Sequence, residues 1–186
     1  MCAVEPELTT TDLVIRPPVP EDAPDAFELM NDPDVRRWNP TRDSPDLAAA
    51  EQWCRDGADW SDGTHATWHA VDRRTGRMVG NVSLFAIDTD DLVAKIGYRV
   101  LPSARGRGVG RQMVDAVTTW AFASRGLMRV QLEHAVSNPA SCRVAVAAGF
   151  LLEGTARSAY AVPDGGREDC HLHGRLPTDP TPRIDG

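Results

Sequence analysis

Binding and proton transfer are suggested first by two short segments. In Arg105-Gly106-Arg107-Gly108-Val109-Gly110, two guanidinium groups and three glycines share six residues. Glycine lets a turn bring backbone N–H groups close to a ligand with no Cβ in the way, and amides at a helix start bind anions. Arg105 and Arg107 add charge-assisted donors, so a diphosphate is a suitable guest. The second segment, Asn138-Pro139-Ala140-Ser141, sets an amide and a hydroxyl three residues apart at a helix start. One face of that turn can carry both. Asparagine is also a common helix cap, and a serine there can satisfy a local carbonyl.

The histidines offer a different chemistry. Asp169, His171 and His173 alternate along one strand and share a face, whereas Glu133 and His134 fall on opposite faces of theirs. A single imidazole is suited to accepting a proton near neutrality. Two imidazoles can share an ion, but the sequence fixes no third ligand, and no metal site is expected. Cys2, Cys54, Cys142 and Cys170 form no CxxC pair, so reduced thiols are expected, with Cys142 a small buried side chain.

The elements that must hold these residues alternate in type. Leu13–Arg16 reads as a strand, Ala23–Met30 as a helix ended by Asn31-Asp32-Pro33, and residues 43–60 as a second helix with an Asp or Ser cap near a proline. Thr67–Val71 and Met78–Leu84 read as a hairpin, followed by a strand over Leu92–Leu101. Gln112–Ala123 places Met113, Val117, Trp120 and Ala121 on one helical face, and Met128–Val136 is the next strand. Strand, glycine turn, helix and strand form a crossover, which makes the two strands parallel. A short helix from Asn138 through Ala147 and a hairpin of Thr155–Val162 with Cys170–Leu176 complete the pattern.

The 186 residues suit one domain, expected over residues 12–176 with a loose tail at 177–186. A formal net charge of -7 opposes binding to a nucleic-acid backbone, and the tryptophans at 38, 53, 60 and 68 lack an interleaved basic stripe. Some of them are expected to pack the first helices against the sheet. No stretch has the apolar length of a membrane span or the form of a signal peptide, so a cytoplasmic protein is expected.

The glycine turn lacks the GKS or GKT of a Walker loop, and a dinucleotide fingerprint or a kinase loop fails where Arg111 replaces its last glycine. What fits is Arg105-x-x-Gly108-x-Gly110 at a strand-to-helix junction. With LVIRPPVPEDAPDAFELMNDPDVRRW, RTGRMVGNVSLF, KIGYRVLPSARGRGVGRQMV, NPASCRVAVAAGF and EGTARSAY in that order, the chain resembles the GCN5-related N-acetyltransferases (GNAT), in their ribosomal-protein branch.

The resemblance implies an α/β (α+β) fold with a mixed, mostly antiparallel sheet, a splayed parallel strand pair and flanking helices. It implies acetyl-CoA between those strands, with Arg105, Arg107, Gly108, Val109 and Gly110 at its phosphates. Val100 and Leu101 would lie beside the acetyl arm, Asn138 at the pantetheine and Ser141 near the sulfur. Ser141 is the catalytic candidate, bonding or protonating the leaving thiolate, and a backbone amide near a strand bulge would stabilise the oxyanion. The expected acceptor is a primary amine, foremost a protein N-terminal α-amine, with an antibiotic or amino sugar as the small-molecule alternative, and a monomer or homodimer as the assembly. Lys95 stands where many relatives have a glutamate base, and Ala145 where many have a tyrosine acid. Those two departures keep open an acyl-CoA-binding module without catalysis.

Overall fold

The computed structural model describes residues 6–39, 46–162 and 165–180. One eight-stranded sheet runs through it in the order β1-β2-β3-β4-β5-β6-β8-β7. The strands are β1 (Leu8–Thr9), β2 (Leu13–Arg16), β3 (Ala66–Asp72), β4 (Met78–Asp88), β5 (Val93–Val100), β6 (Arg129–Ala135), β7 (Leu151–Ala161) and β8 (Arg167–Arg175). Only β5 and β6 pair parallel; all other neighbours are antiparallel. The two-residue β1, in a segment without a periodic pattern, is held by pairing with Val14 and Ile15.

Among the described residues, five α-helices flank the sheet: α1 (Ala23–Asn31), α2 (Pro33–Trp38), α3 (Leu47–Ala58), α4 (Val109–Arg125) and α5 (Pro139–Ala147). The helix α2 was not expected, because Asp32-Pro33 reads as a stop. The same pair starts a helix: the Asp32 carboxylate accepts from the Val35 amide at 2.9 Å, and Pro33 fills a first-turn place that needs no N–H donor. Asp46 caps α3 by accepting from Ala49, while the Asp43 and Ser44 expected near its cap lie outside the described residues. Gly126 ends α4 with φ of 67°, one residue beyond Arg125.

Two cores position the site. On one face, Met113, Val114, Val117 and Ala121 of α4 pack on Ile15, Trp68, Val82, Leu84, Ile96 and Leu132, all essentially inaccessible to solvent. Each such aliphatic side chain contributes about 1.5–3 kcal/mol by leaving water. On the other face, α1 and α3 bury Ala26, Leu29, Ala50 and Cys54 around Met78 and Leu101. Of the early tryptophans, Trp53 follows expectation and meets the His69 ring at 5.2 Å. Trp60 instead joins Trp68 and Trp120 in edge-to-face contacts, so it belongs to the α4 side. No helix among the described residues is long and apolar enough to cross a membrane.

Candidate active site

The parallel pair is short by design of its register. Val93, Ala94 and Lys95 face Arg129, Val130 and Gln131, and pairing stops there. Beyond Lys95 and Gln131 the strands part, leaving their facing backbone edges open to a ligand's amides. A cleft of about 720 Å³ opens in the gap, lined by Ile96–Val100, Leu132–His134, the turn before α4, the first half of α5, and Trp38, Asn39 and Tyr160. That volume is in the usual range for small-molecule sites.

The glycine turn borders this cleft, and α4 begins earlier than periodicity suggested, at Val109 rather than Gln112. Gly108 caps it with φ of 74°, a left-handed conformation that favours glycine. The first turn carries no acidic side chain, so its amides present the positive end of a 17-residue helix dipole. Gly110 serves packing. A Cβ there would lie 3.0 Å from Tyr98 Cε2 and 3.3 Å from Val144 Cγ2.

The residues expected at the cofactor do not all meet. Val100, Arg105, Gly108, Val109, Gly110, Asn138 and Ser141 line the cleft. Leu101 and Arg107 do not. Leu101 is buried beneath α1 and α3, with its N–H donated to Val79 and its carbonyl accepting from Ala104. Arg107 reaches away to Asp72, at 2.6 Å. Arg105 is bound by Asp32 and, at 2.8 Å, by Asp34, which ties the turn to the start of α2. Arg143 is exposed and lines the cleft from α5, a cation not singled out in the sequence.

Asn138 and Ser141 do share one turn. Asn138 Oδ1 accepts from the Ser141 amide at 3.1 Å, so Asn138 is the cap of α5 as well as a cleft residue. Ser141 is nearly buried, and its Oγ accepts from the Tyr98 hydroxyl at 3.4 Å. Burial raises the Tyr98 pKa against the pull of that bond, which keeps the phenol protonated. The residue was missed because Ile-Gly-Tyr reads as strand; only the divergence of β5 from β6 gives its hydroxyl a partner. Ala145 is fully buried in the α4 core.

Behind the cleft, strand register lines up a polar row: Arg16 opposes His69, His69 opposes Asn81, and Asn81 opposes Arg99. Arg16 and His69 both bind Asp22, at 2.7–2.8 Å. Burial disfavours the Asp22 charge, but hydrogen bonds from Arg16, His69 and the Val19 amide outweigh it and hold the carboxyl well below its usual range. Burial pushes His69 below the ordinary imidazole value despite Asp22. Arg99 donates to Asn81 Oδ1 at 3.0 Å and has no carboxylate partner among the described residues.

Two further features bear on the chemistry of the cleft. Lys95 pairs with Glu133 at 2.7 Å across the parting strands, so that carboxylate already has a cationic partner. The irregularity in the β4–β5 ladder lies between Phe85 and Asp88, at the far end from the glycine turn. The β4–β5 ladder therefore places no bulge at the cleft, where β5 beyond Lys95 has no paired residue on β6.

The pattern described as an acetyltransferase (GNAT) domain matches residues 12–151, and the chain belongs to that family. It is 24% identical over 169 residues to the uncharacterized N-acetyltransferase YoaA of Bacillus subtilis (strain 168), covering 90% of this chain and 95% of that protein. It is 31% identical over 99 residues to the ribosomal-protein-serine acetyltransferase of Escherichia coli (strain K12), covering 53% of this chain and 55% of the relative. Its fold matches the crystal structure of a ribosomal-protein-S5-alanine acetyltransferase from Vibrio fischeri with a TM-score of 0.83 at 21% identity, covering 94% and 98% of the two chains. The protein is an acetyl-CoA-dependent N-acetyltransferase of the GNAT type.

Proposed function

We propose that this enzyme acetylates the N-terminal α-amine of a protein, with acetyl-CoA seated between β5 and β6. The observation that carries the reading is the end of strand pairing at Lys95 and Gln131, which opens the sheet beside a glycine-capped helix start. The thioester supplies an activated acetyl group. Amides of Gly108–Gly110 and the Arg105 guanidinium hold the pyrophosphate, and the open backbone edge near Val100 holds the pantetheine. Asn138 keeps the turn of Ser141 in place and offers its amide N–H2 group as a donor. Ser141, itself a hydrogen-bond acceptor from Tyr98, gives its proton to the departing sulfur, while the attacking amine loses one proton to solvent and solvent returns one to the Ser141 and Tyr98 pair. The acceptor enters past Trp38, Asn39 and Tyr160, on the side that Arg99 also reaches.

Support for a protein acceptor comes from the ribosomal-protein-serine acetyltransferase among the relatives. The test offers acetyl-CoA with peptides whose N-termini are free or blocked, with lysine-bearing peptides, and with polyamines and amino sugars. Free-N-terminus peptides should gain one acetyl group by mass, and blocked ones none. Acetylation confined to the small amines removes the protein acceptor. CoA release with none of them removes the reading as a whole.

A further inference from the structure

Beside the cleft, β6 and β8 pair so that His134 opposes His171 and Leu132 opposes His173, which puts all three imidazoles on one face. The start of α5 lays Cys142 over them. One ligand atom from each of His134, Cys142, His171 and His173 lies within 4.8 Å of every other. We propose that these four residues bind one zinc ion, or another divalent transition metal of similar ligand preference, at a site that adjoins the acetyl-donor cleft and shares His134 with its lining.

Four observations carry this. The Nε2 atoms of His134 and His173 are 3.2 Å apart, close to the ~3.3 Å edge of a tetrahedron built from Zn–N bonds of about 2.05 Å. His134 Nδ1 lies 2.8 Å from the Ala135 carbonyl oxygen; donating a proton there leaves the Nε2 lone pair for a metal, as in the histidines of many metal centres. His171 Nδ1 is buried with no hydrogen-bond partner. Finally, His134 and His173 are buried while His171 and Cys142 are half-buried, so the cluster is enclosed but has an entry path.

Three imidazoles and a thiol form a nitrogen and sulfur set with no carboxylate, which favours zinc over magnesium or calcium. On binding, Cys142 gives its thiol proton to solvent as the metal–sulfur bond forms, and each imidazole donates a lone pair. The sequence showed only the His171 and His173 pair; β6–β8 register and α5 supply the third and fourth ligands. Because Cys142 follows Ser141, an ion here would fasten the turn that carries Ser141 to the sheet.

The test uses untagged, chelator-stripped protein titrated with Co²⁺ and then Zn²⁺. The expected result is one equivalent of Co²⁺ with the visible bands of a tetrahedral ion and a thiolate-to-cobalt charge-transfer band, both lost on adding Zn²⁺. Cys142→Ser should remove the charge-transfer band, and His171→Gln, at a half-buried position, should weaken binding by more than about tenfold. His65→Ala, at a surface cluster with Asp62, should change nothing. Circular dichroism verifies each fold, and His171→Gln decides the matter if the cysteine variant does not fold. A titration without the thiolate band, His171→Gln binding as tightly as the parent, or binding lost with His65 would overturn the site.

Discussion

The Tyr98 hydroxyl donates to Ser141 Oγ across 3.4 Å, joining β5, beyond the point where it leaves β6, to the first turn of α5. A proton lost from Ser141 to the leaving sulfur can be replaced through this bond. Ser141→Ala should therefore lower kcat by about tenfold to a few hundredfold with little change in acetyl-CoA affinity. Tyr98→Phe should cost about threefold to tenfold, the rate equivalent of one neutral hydrogen bond. In the double variant the losses should combine less than multiplicatively. Steady-state and single-turnover rates with a fixed peptide acceptor measure all three. Full kcat in Tyr98→Phe, with chemistry limiting, would remove the relay.

Gly110 tests how tightly the pair is placed. A Cβ added there meets Tyr98 at 3.0 Å and Val144 at 3.3 Å, so Gly110→Ala must displace the phenol, α5 or both. The expected cost is about 1–3 kcal/mol of stability by overpacking, with a fall in kcat. At Gly108 an added Cβ meets only Gln112 Nε2, at an unstrained 4.0 Å, but φ is 74°, so Gly108→Ala should cost about 1–2 kcal/mol through backbone strain. Urea melts of both variants check this, and parent-like stability in Gly110→Ala would show that the contact yields easily.

How much of this was legible in the sequence follows from how local each feature is. The crossover from β5 through α4 to β6 and the Asn138 cap depend on neighbouring residues, and both stand as expected. The start of α4 moved because Val109 and Gly110 look like turn residues until the buried face of α4 is seen to include them. The zone where β5 and β6 part, the Tyr98 bond and the opposition of His134 to His171 depend on strand register, which periodicity of two does not fix. Arg107 looked equivalent to Arg105 in the motif, and only the position of Asp72 on β3 takes it elsewhere.

The buried His69 makes a pH prediction. Its folded pKa is depressed, chiefly by burial, against the Asp22 carboxylate and with Arg16 opposing its charge. Below the unfolded value of about 6.5 the unfolded chain takes up a proton that folded His69 refuses. Stability is therefore full above that pH and falls as pH drops toward the folded pKa, by up to ~1.4 kcal/mol per unit from this group. His134 and His173 are depressed in the same direction and act in parent and variant alike. His69→Asn should be less stable at pH 7.5 yet lose stability less steeply down to pH ~5.5. Equal slopes in urea melts would refute the assignment.

Arg99 makes the last prediction, about which acceptors the enzyme prefers. The carboxylates of Asp34 and Glu133 at the cleft are paired with Arg105 and Lys95. Arg99, also lining the cleft, has an amide oxygen for a partner and the Trp53 ring 5.9 Å away, and burial lowers its pKa. A largely desolvated guanidinium without a carboxylate gains most from an acceptor that brings one. Peptides with Asp or Glu next to the N-terminal residue should accordingly have lower KM than matched peptides with Lys there, which would set like charges together. Removing a hydrogen bond to a charged group costs about 1.5–3 kcal/mol, so Arg99→Leu should raise KM for the acidic peptides by about ten- to a hundredfold. It should leave KM for neutral peptides within about threefold, and Arg99→Lys should recover part of the loss. Competition between the two peptide sets, followed by mass spectrometry, gives the ratio in one vessel. A parent enzyme that favours the lysine peptides would show that Arg99 serves the sheet's polar row and not the acceptor.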